Sequence, residues 1–244
     1  MIPLSMLPLT LELELDPDPD VCFAATGNLF ELSRLRLLGS TCELDQALQN
    51  SYAKHLLDGK TLPFYHPGMY SFIAAVPNGS TLYSLPIVRG FTRLSAVYCT
   101  FMDAAPTGTS KFVNRFINPS TLTGANTVEN DDLEWYIQIG ASRWPSFSCS
   151  SDQESYYRLQ MATMAQLGTN TLSISPYDFT KTKYAVAHSF EKAGGGGSHT
   201  GINTRSGSQA TLSFRNLGPA ITIHVVCVYD QITQLSMAGV EVLD

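Results

Sequence analysis

Residues 9–15 read Leu-Thr-Leu-Glu-Leu-Glu-Leu, which sets Leu9, Leu11, Leu13 and Leu15 on one side of an extended chain and Thr10, Glu12 and Glu14 on the other. A period of two is the signature of a half-buried β-strand, because successive side chains point to opposite faces. The run Asp-Pro-Asp-Pro-Asp at 16–20 stops it, since proline cannot continue a ladder and aspartate favours turns. Its three aspartates also raise a calcium site, but stiff prolines and the lack of EF-hand spacing favour a solvated turn. Residues 30–38 predict a second strand with Gly39 as punctuation. From 44 to 57 the period changes. Leu44, Ala47, Leu48, Tyr52 and Leu56 share one helical face, and Asp58-Gly59 ends it.

Further strands are predicted at 64–65, 69–76, 82–85 and 90–101, the last a long central one. Residues 102–132 are polar and rich in turn signals, including Asn118-Pro119, and predict a long excursion over the surface. Strand pattern returns at 134–140. The strongest helix pattern covers 150–167, with Ser151 or Asp152 as its cap and Gly168 after its last turn. The remaining strands fall at 184–190, 209–214, 221–229 and 232–235, where a polar break at Asp230-Gln231 separates the last two. A Met-Ala-Gly turn and an apolar stub follow, which predicts a terminus tied into a sheet. No internal repeat is visible.

Many short strands with Gly, Pro and Asn turns, not alternating with helices, predict an all-β fold. The preferred form is a jelly-roll sandwich of about eight strands with one or two short helices inserted in loops. At 244 residues the chain has the length of one such domain, 1–244, with 102–132 and 191–207 as long loops. Charged residues are only 15% of the chain against 44% hydrophobic ones, below the roughly 25% charged share of an average soluble domain. A neutral polar surface suits packing against neighbours, since charges are depleted at interface cores. The net charge of −6, from 15 basic and 21 acidic residues, argues against a nucleic-acid partner.

Cys22, Cys42, Cys99, Cys149 and Cys227 show no CxxC spacing, and an odd count fits a reducing compartment better than a disulfide framework. The first nine residues are apolar but lack a basic region and are broken by Pro3 and Pro8, so no signal sequence is expected. No apolar run is long enough to span a membrane.

Candidate chemistry is sparse. His55, His66, His188, His199 and His224 fall in no metal-binding motif, so no metal or cofactor is expected. The run Ala-Gly-Gly-Gly-Gly-Ser-His at 193–199 lacks the Lys-Ser/Thr pair of a phosphate loop and reads as a mobile connection. No GxSxG elbow is present. Two carboxylates flanking a sugar can hydrolyse it, which brings in Asp131-Asp132 and Glu12 with Glu14; Trp135, Tyr136 and Trp144 are candidate sugar-stacking rings. A carbohydrate-binding or glycan-hydrolysing jelly roll is therefore the alternative function, and no catalytic residue is assigned.

Three stretches carry a family resemblance. The opening Ile-Pro-Leu-Ser-Met-Leu-Pro-Leu-Thr-Leu-Glu-Leu-Glu-Leu at 2–15 resembles the first strand of the second jelly roll in double jelly-roll major capsid proteins. Those proteins form the shells of nucleocytoplasmic large DNA viruses, virophages and Polinton-like viruses. Residues 225–240, Val-Val-Cys-Val-Tyr-Asp-Gln-Ile-Thr-Gln-Leu-Ser-Met-Ala-Gly-Val, resemble that family's terminal strand pair, and 201–214 its preceding loop and strand. The family carries two jelly rolls in one chain, whereas this chain has length for one. The resemblance implies a non-enzymatic capsid subunit found in the virion and made in the host cytoplasm or nucleus. Its implied partners are copies of itself, as homotrimers in an icosahedral shell, and other capsid proteins. It implies no small-molecule substrate.

Overall fold

The computed structural model describes residues 9–14, 31–78, 80–104, 116–119, 133–168, 172–192, 200–205, 207–218 and 220–243. The chain divides into two compact units, Met1–His66 with Gln231–Leu243, and Pro67–Asp230. Its strands are β1 (Leu62–Val76), β2 (Leu82–Pro86), β3 (Leu94–Asp103), β4 (Glu134–Ile139), β5 (Ser142–Cys149), β6 (Ala185–Ser189), β7 (Ala210–Arg215), β8 (Ile221–Ser236) and β9 (Gly239–Leu243). Three helices are described: α1 (Gln46–Leu57), α2 (Asp152–Leu167) and α3 (Pro176–Lys181).

One sheet has the order β1-β8-β3-β6, with β9 beside β8, and the other β2-β7-β4-β5. The first strand thus pairs with the eighth, the second with the seventh, the third with the sixth and the fourth with the fifth. That is one long hairpin rolled up so that alternate pairs join alternate sheets. The β3–β8 and β4–β7 ladders then complete each sheet. This connectivity is a jelly roll.

Alternation builds the core of the second unit. Val97, Cys99 and Phe101 of β3 lie opposite Cys227, Val225 and Ile223 of β8, while Trp135, Ile137 and Ile139 of β4 lie opposite Phe214, Leu212 and Ala210 of β7. All twelve are buried. Phe101 and Phe214 meet edge to face at 5.6 Å and join the two sheets. The outer face of β3 is buried too, because α2 lies over β6 and β3. Ser151 caps α2 by accepting from the Glu154 N–H at 3.2 Å, and Gly168 closes it in the left-handed conformation with φ 72°. Ser155, Leu159 and Ala162, spaced i, i+4, i+7, form its buried stripe.

Several expectations are corrected. Residues 9–14 belong to no strand, and Leu9, Leu11 and Leu13 are 59%, 62% and 61% exposed. An alternating pattern becomes a strand only when an edge pairs with it, and no described strand of this chain does so. Residues 31–38 are likewise exposed and outside any strand, with Arg34 bending the chain at φ 58°. The turn expected at 16–20 and the start of the second strand at Phe30 lie outside the described residues. The strands expected at 64–65 and 69–76 are one strand, β1. Its Pro63 and Pro67 are tolerated because β1 is an edge strand, where a missing N–H costs no ladder bond.

The two C-terminal strands are also one. The Asp230 N–H donates to the Arg93 carbonyl at 3.1 Å, so the ladder runs through the polar break. Two elements are additional: β5, tolerant of Pro145 because it too lies at a sheet edge, and α3, with Pro176 in its first turn behind the Ser175 cap. The excursion at 102–132 is not wholly on the surface. Ile117 and Asn118 are buried, the Ile117 N–H donates to the Phe101 carbonyl at 3.0 Å, and the Tyr184 N–H donates to the Phe116 carbonyl at 3.1 Å.

Gly68 is required by contact. A Cβ there would lie 2.5 Å from Cζ of the buried Tyr229. Gly68→Ala is expected to cost about 1–3 kcal/mol through this overlap. Urea unfolding should show a lower midpoint with an unchanged slope; parental stability would mean that the ring has room to swing aside.

Candidate functional site

Among the described residues, those singled out for catalysis form no cluster. Glu12 and Glu14 are exposed, and Asp131, Asp132 and His199 lie outside the described residues. His55 is half-buried on α1, next to the buried Leu56. His66 Nε2 lies 2.8 Å from Thr233 Oγ1. His224, in the middle of β8, is pushed below its ordinary pKa by burial. Among the described residues no three His, Cys, Asp or Glu side chains are grouped to hold a metal. Cys99, Cys149 and Cys227 are free buried thiols and Cys42 a free exposed one. Burial raises the thiol pKa of all three buried ones, that of Cys227 to about 12, so they are not thiolate nucleophiles at neutral pH.

The three candidate sugar-stacking rings form no platform. Trp135 is wholly buried, and its Nε1–H donates to Ser155 Oγ at 3.0 Å. Its neighbour Tyr136 points to the opposite face of β4, with the Arg143 guanidinium 4.6 Å above its ring. Trp144 is 37% exposed and packs against Phe190 at 5.9 Å and His188 at 6.1 Å. That cluster joins β5 to β6. His188 is pushed down to about 4, by burial first and then by the nearby Arg158.

A buried polar cluster that single-sequence patterns do not reveal sits under the start of α2. Asn118 Nδ2 donates to both carboxylate oxygens of Asp152, at 3.1 and 3.0 Å. Ser155 Oγ receives the Trp135 N–H and lies 3.3 Å from Cys149 Sγ. The buried Tyr184 ring packs on Phe179 and Phe101, at 4.9 and 6.0 Å. Residues 116–119, β4, β5 and α2 are thereby held together, which is a structural role.

What remains open is apolar surface. In the first unit Leu9, Leu11, Leu13, Leu32, Leu35, Leu37 and Leu38 are all exposed. In the second unit the outward side of edge strand β1 presents Met69 and Ile73, 72% and 64% exposed. The face of α2 turned away from its buried stripe carries Tyr157, Met161 and Met164 at i, i+4, i+7. Scattered apolar side chains are ordinary on a surface, but contiguous ones mark contact sites. No described helix is long and apolar enough to cross a membrane.

No protein-family model matches the chain, and no curated protein matches it. Among solved structures it is similar to VP54 of PBCV-1, from a crystal structure fitted into a cryo-EM reconstruction of the virophage Sputnik. The TM-score is 0.49 and the identity 10%, over 82% of this chain and 55% of that one. It is also similar to a quasi-atomic model of the PBCV-1 virus capsid, with TM-score 0.41 and 12% identity over the same shares. For the mavirus major capsid protein the TM-score is 0.38 and the identity 7%, over 75% of this chain and 41% of that one. The chain thus spans about half the length, or less, of the solved structures it matches.

Proposed function

We propose that the chain is a structural subunit of a viral capsid: a single jelly-roll domain over 1–244, corresponding to one half of a major capsid protein. In this reading it works in the virion, is made in the host cytoplasm or nucleus, and has no catalytic role. It associates into trimers that pack into an icosahedral shell with further copies and other capsid proteins. The observation that carries the reading is the apolar surface left open in both units, the leucines at 9–13 and 31–38 and the outer sides of β1 and α2, in a chain with only 15% charged residues. Lone molecules with such surfaces gain by burying them against one another, and stable symmetric assemblies rest on interfaces of this kind. The rolled strand order and the resemblance at 201–214 and 225–240 agree with it. The carbohydrate alternative loses its main support with Trp135 inside the core.

The test is the mass of the purified chain across a concentration series. A trimer, or larger rings and shells, is the expected result. A folded chain that stays monomeric at every concentration overturns the proposal.

A further inference from the structure

Among the described strands, β1 pairs on one side only, with β8. Over residues 69–74 its two faces differ. Tyr70, Phe72 and Ala74 pack against the core of the second unit but stay half-exposed at the margin of the sheet. Met69, Ser71 and Ile73 alternate with them and are exposed. The stretch holds no proline and no charged residue, the usual devices that keep a further strand from an edge. Just beyond it, the Ala75 carbonyl accepts from the Tyr83 hydroxyl at 3.3 Å, which marks the end of the open stretch. The other edges suit a partner less. β2, β6 and β9 are only five residues long, and β9 carries Glu241 at its centre. β5 has Pro145 in its middle.

A strand that fits this edge is present in the chain's own sequence. Residues 9–14 alternate leucine with Thr10, Glu12 and Glu14, yet they pair with no described strand and their three leucines are exposed. Laid beside residues 69–74, a stretch of equal length, the segment sets Leu9, Leu11 and Leu13 alongside Tyr70, Phe72 and Ala74, where they extend the core. Its polar side chains then lie with Met69, Ser71 and Ile73, and no acid stands next to Glu12 or Glu14. Against β9 the same arrangement would bring those glutamates beside Glu241.

We infer that residues 9–14 of one copy add as a strand to the β1 edge of a second copy. The inference rests on the assembly proposed above and names one of its contacts. Main-chain bonds along an open sheet edge give such a contact affinity, and the alternating side chains give it register. Each copy has one donor segment and one acceptor edge, so the contact runs head to tail, and contacts of that kind close into rings such as a trimer.

The test uses the full chain carrying the photoreactive substitution Ile73→benzoylphenylalanine, at an exposed position outside the core. It is mixed with isotope-labelled parent chain, allowed to assemble and irradiated, and the cross-linked peptides are sequenced by mass spectrometry. Cross-links from position 73 to residues 9–14 of the labelled copy are expected. In a second measurement, Leu11→Glu combined with Leu13→Glu should raise the concentration needed for assembly about tenfold or more, since two leucines no longer become buried. At concentrations too low for assembly this variant should melt like the parent. Leu11→Ile with Leu13→Ile should assemble as the parent does. Cross-links to 9–14 found only within one copy, or assembly unchanged by the two glutamates, overturn the inference and leave the capsid reading standing. A parent chain that stays monomeric at every concentration overturns both.

Discussion

Trp135→Ala is expected to destabilise the chain by about 3–5 kcal/mol, the range for removing a large aromatic ring from a packed core. Trp135 is wholly buried on β4 between β7 and β5, so little can collapse into the space it leaves. The loss also reaches the buried polar cluster, because the indole N–H is a donor to Ser155 Oγ. Trp135→Phe is the milder change. It keeps a six-membered aromatic ring but drops the donor and the rest of the indole, and should cost about 2 kcal/mol. Urea unfolding followed by circular dichroism is the suitable measurement, since both variants remove one of only two tryptophans. A loss below about 1 kcal/mol for the alanine variant would contradict a rigid, filled sandwich at this position.

Acid should weaken the fold through His188 before any carboxylate is involved. Its imidazole is held near 4, against an ordinary value of 6.5, by burial and by Arg158 on α2; Trp144, Phe190 and, across the β3 ladder, Val97 face it from the other elements. Above pH 6.5 the ring is neutral whether the chain is folded or not, and the group contributes no pH dependence. Between 6.5 and about 4 the unfolded chain takes up a proton that the folded chain refuses, so stability falls with pH. Below about 4 both states are protonated and this loss stops growing. The full difference amounts to roughly 3 kcal/mol. His224, also lowered by burial, acts in the same direction. Unfolding free energies at pH 7 and pH 4.5 should differ by less in His188→Gln than in the parent. Equal differences in the two proteins would remove His188 from the account.

The long antiparallel strands were legible because their two faces differ. In β4, β7 and the first part of β8 every second residue enters the core, and the pattern survives in the letters of the chain. α2 was legible from its caps as well as its period: Ser151 and Gly168 stand where a helix must begin and end. Edge strands were harder to read. β5 contains Pro145 and exposes both Trp144 and Phe147, so neither alternation nor propensity marks it. Residues 9–14 mislead in the other direction, since alternation records what a segment is able to pair with, and the pairing edge is absent among the described strands. The bonds from Asn118 to Asp152 and from Trp135 to Ser155 join residues far apart in the chain. Only the fold brings them together.

The nested strand pairing also determines the order in which the molecule can be completed. The β4–β5 hairpin closes across a two-residue turn, whereas β1 and β3 both await β8 as their shared neighbour. Closing a long loop adds only logarithmically to the entropic cost, so the penalty falls on time more than on final stability. During synthesis β3 stands beside β6 with its other edge bare, and β1 stands alone, until β8 is made. Exposed strand edges recruit other chains. The yield of correctly formed subunits is therefore a race between a chain's own β8 and the edges of its neighbours, and slower production favours the intramolecular winner.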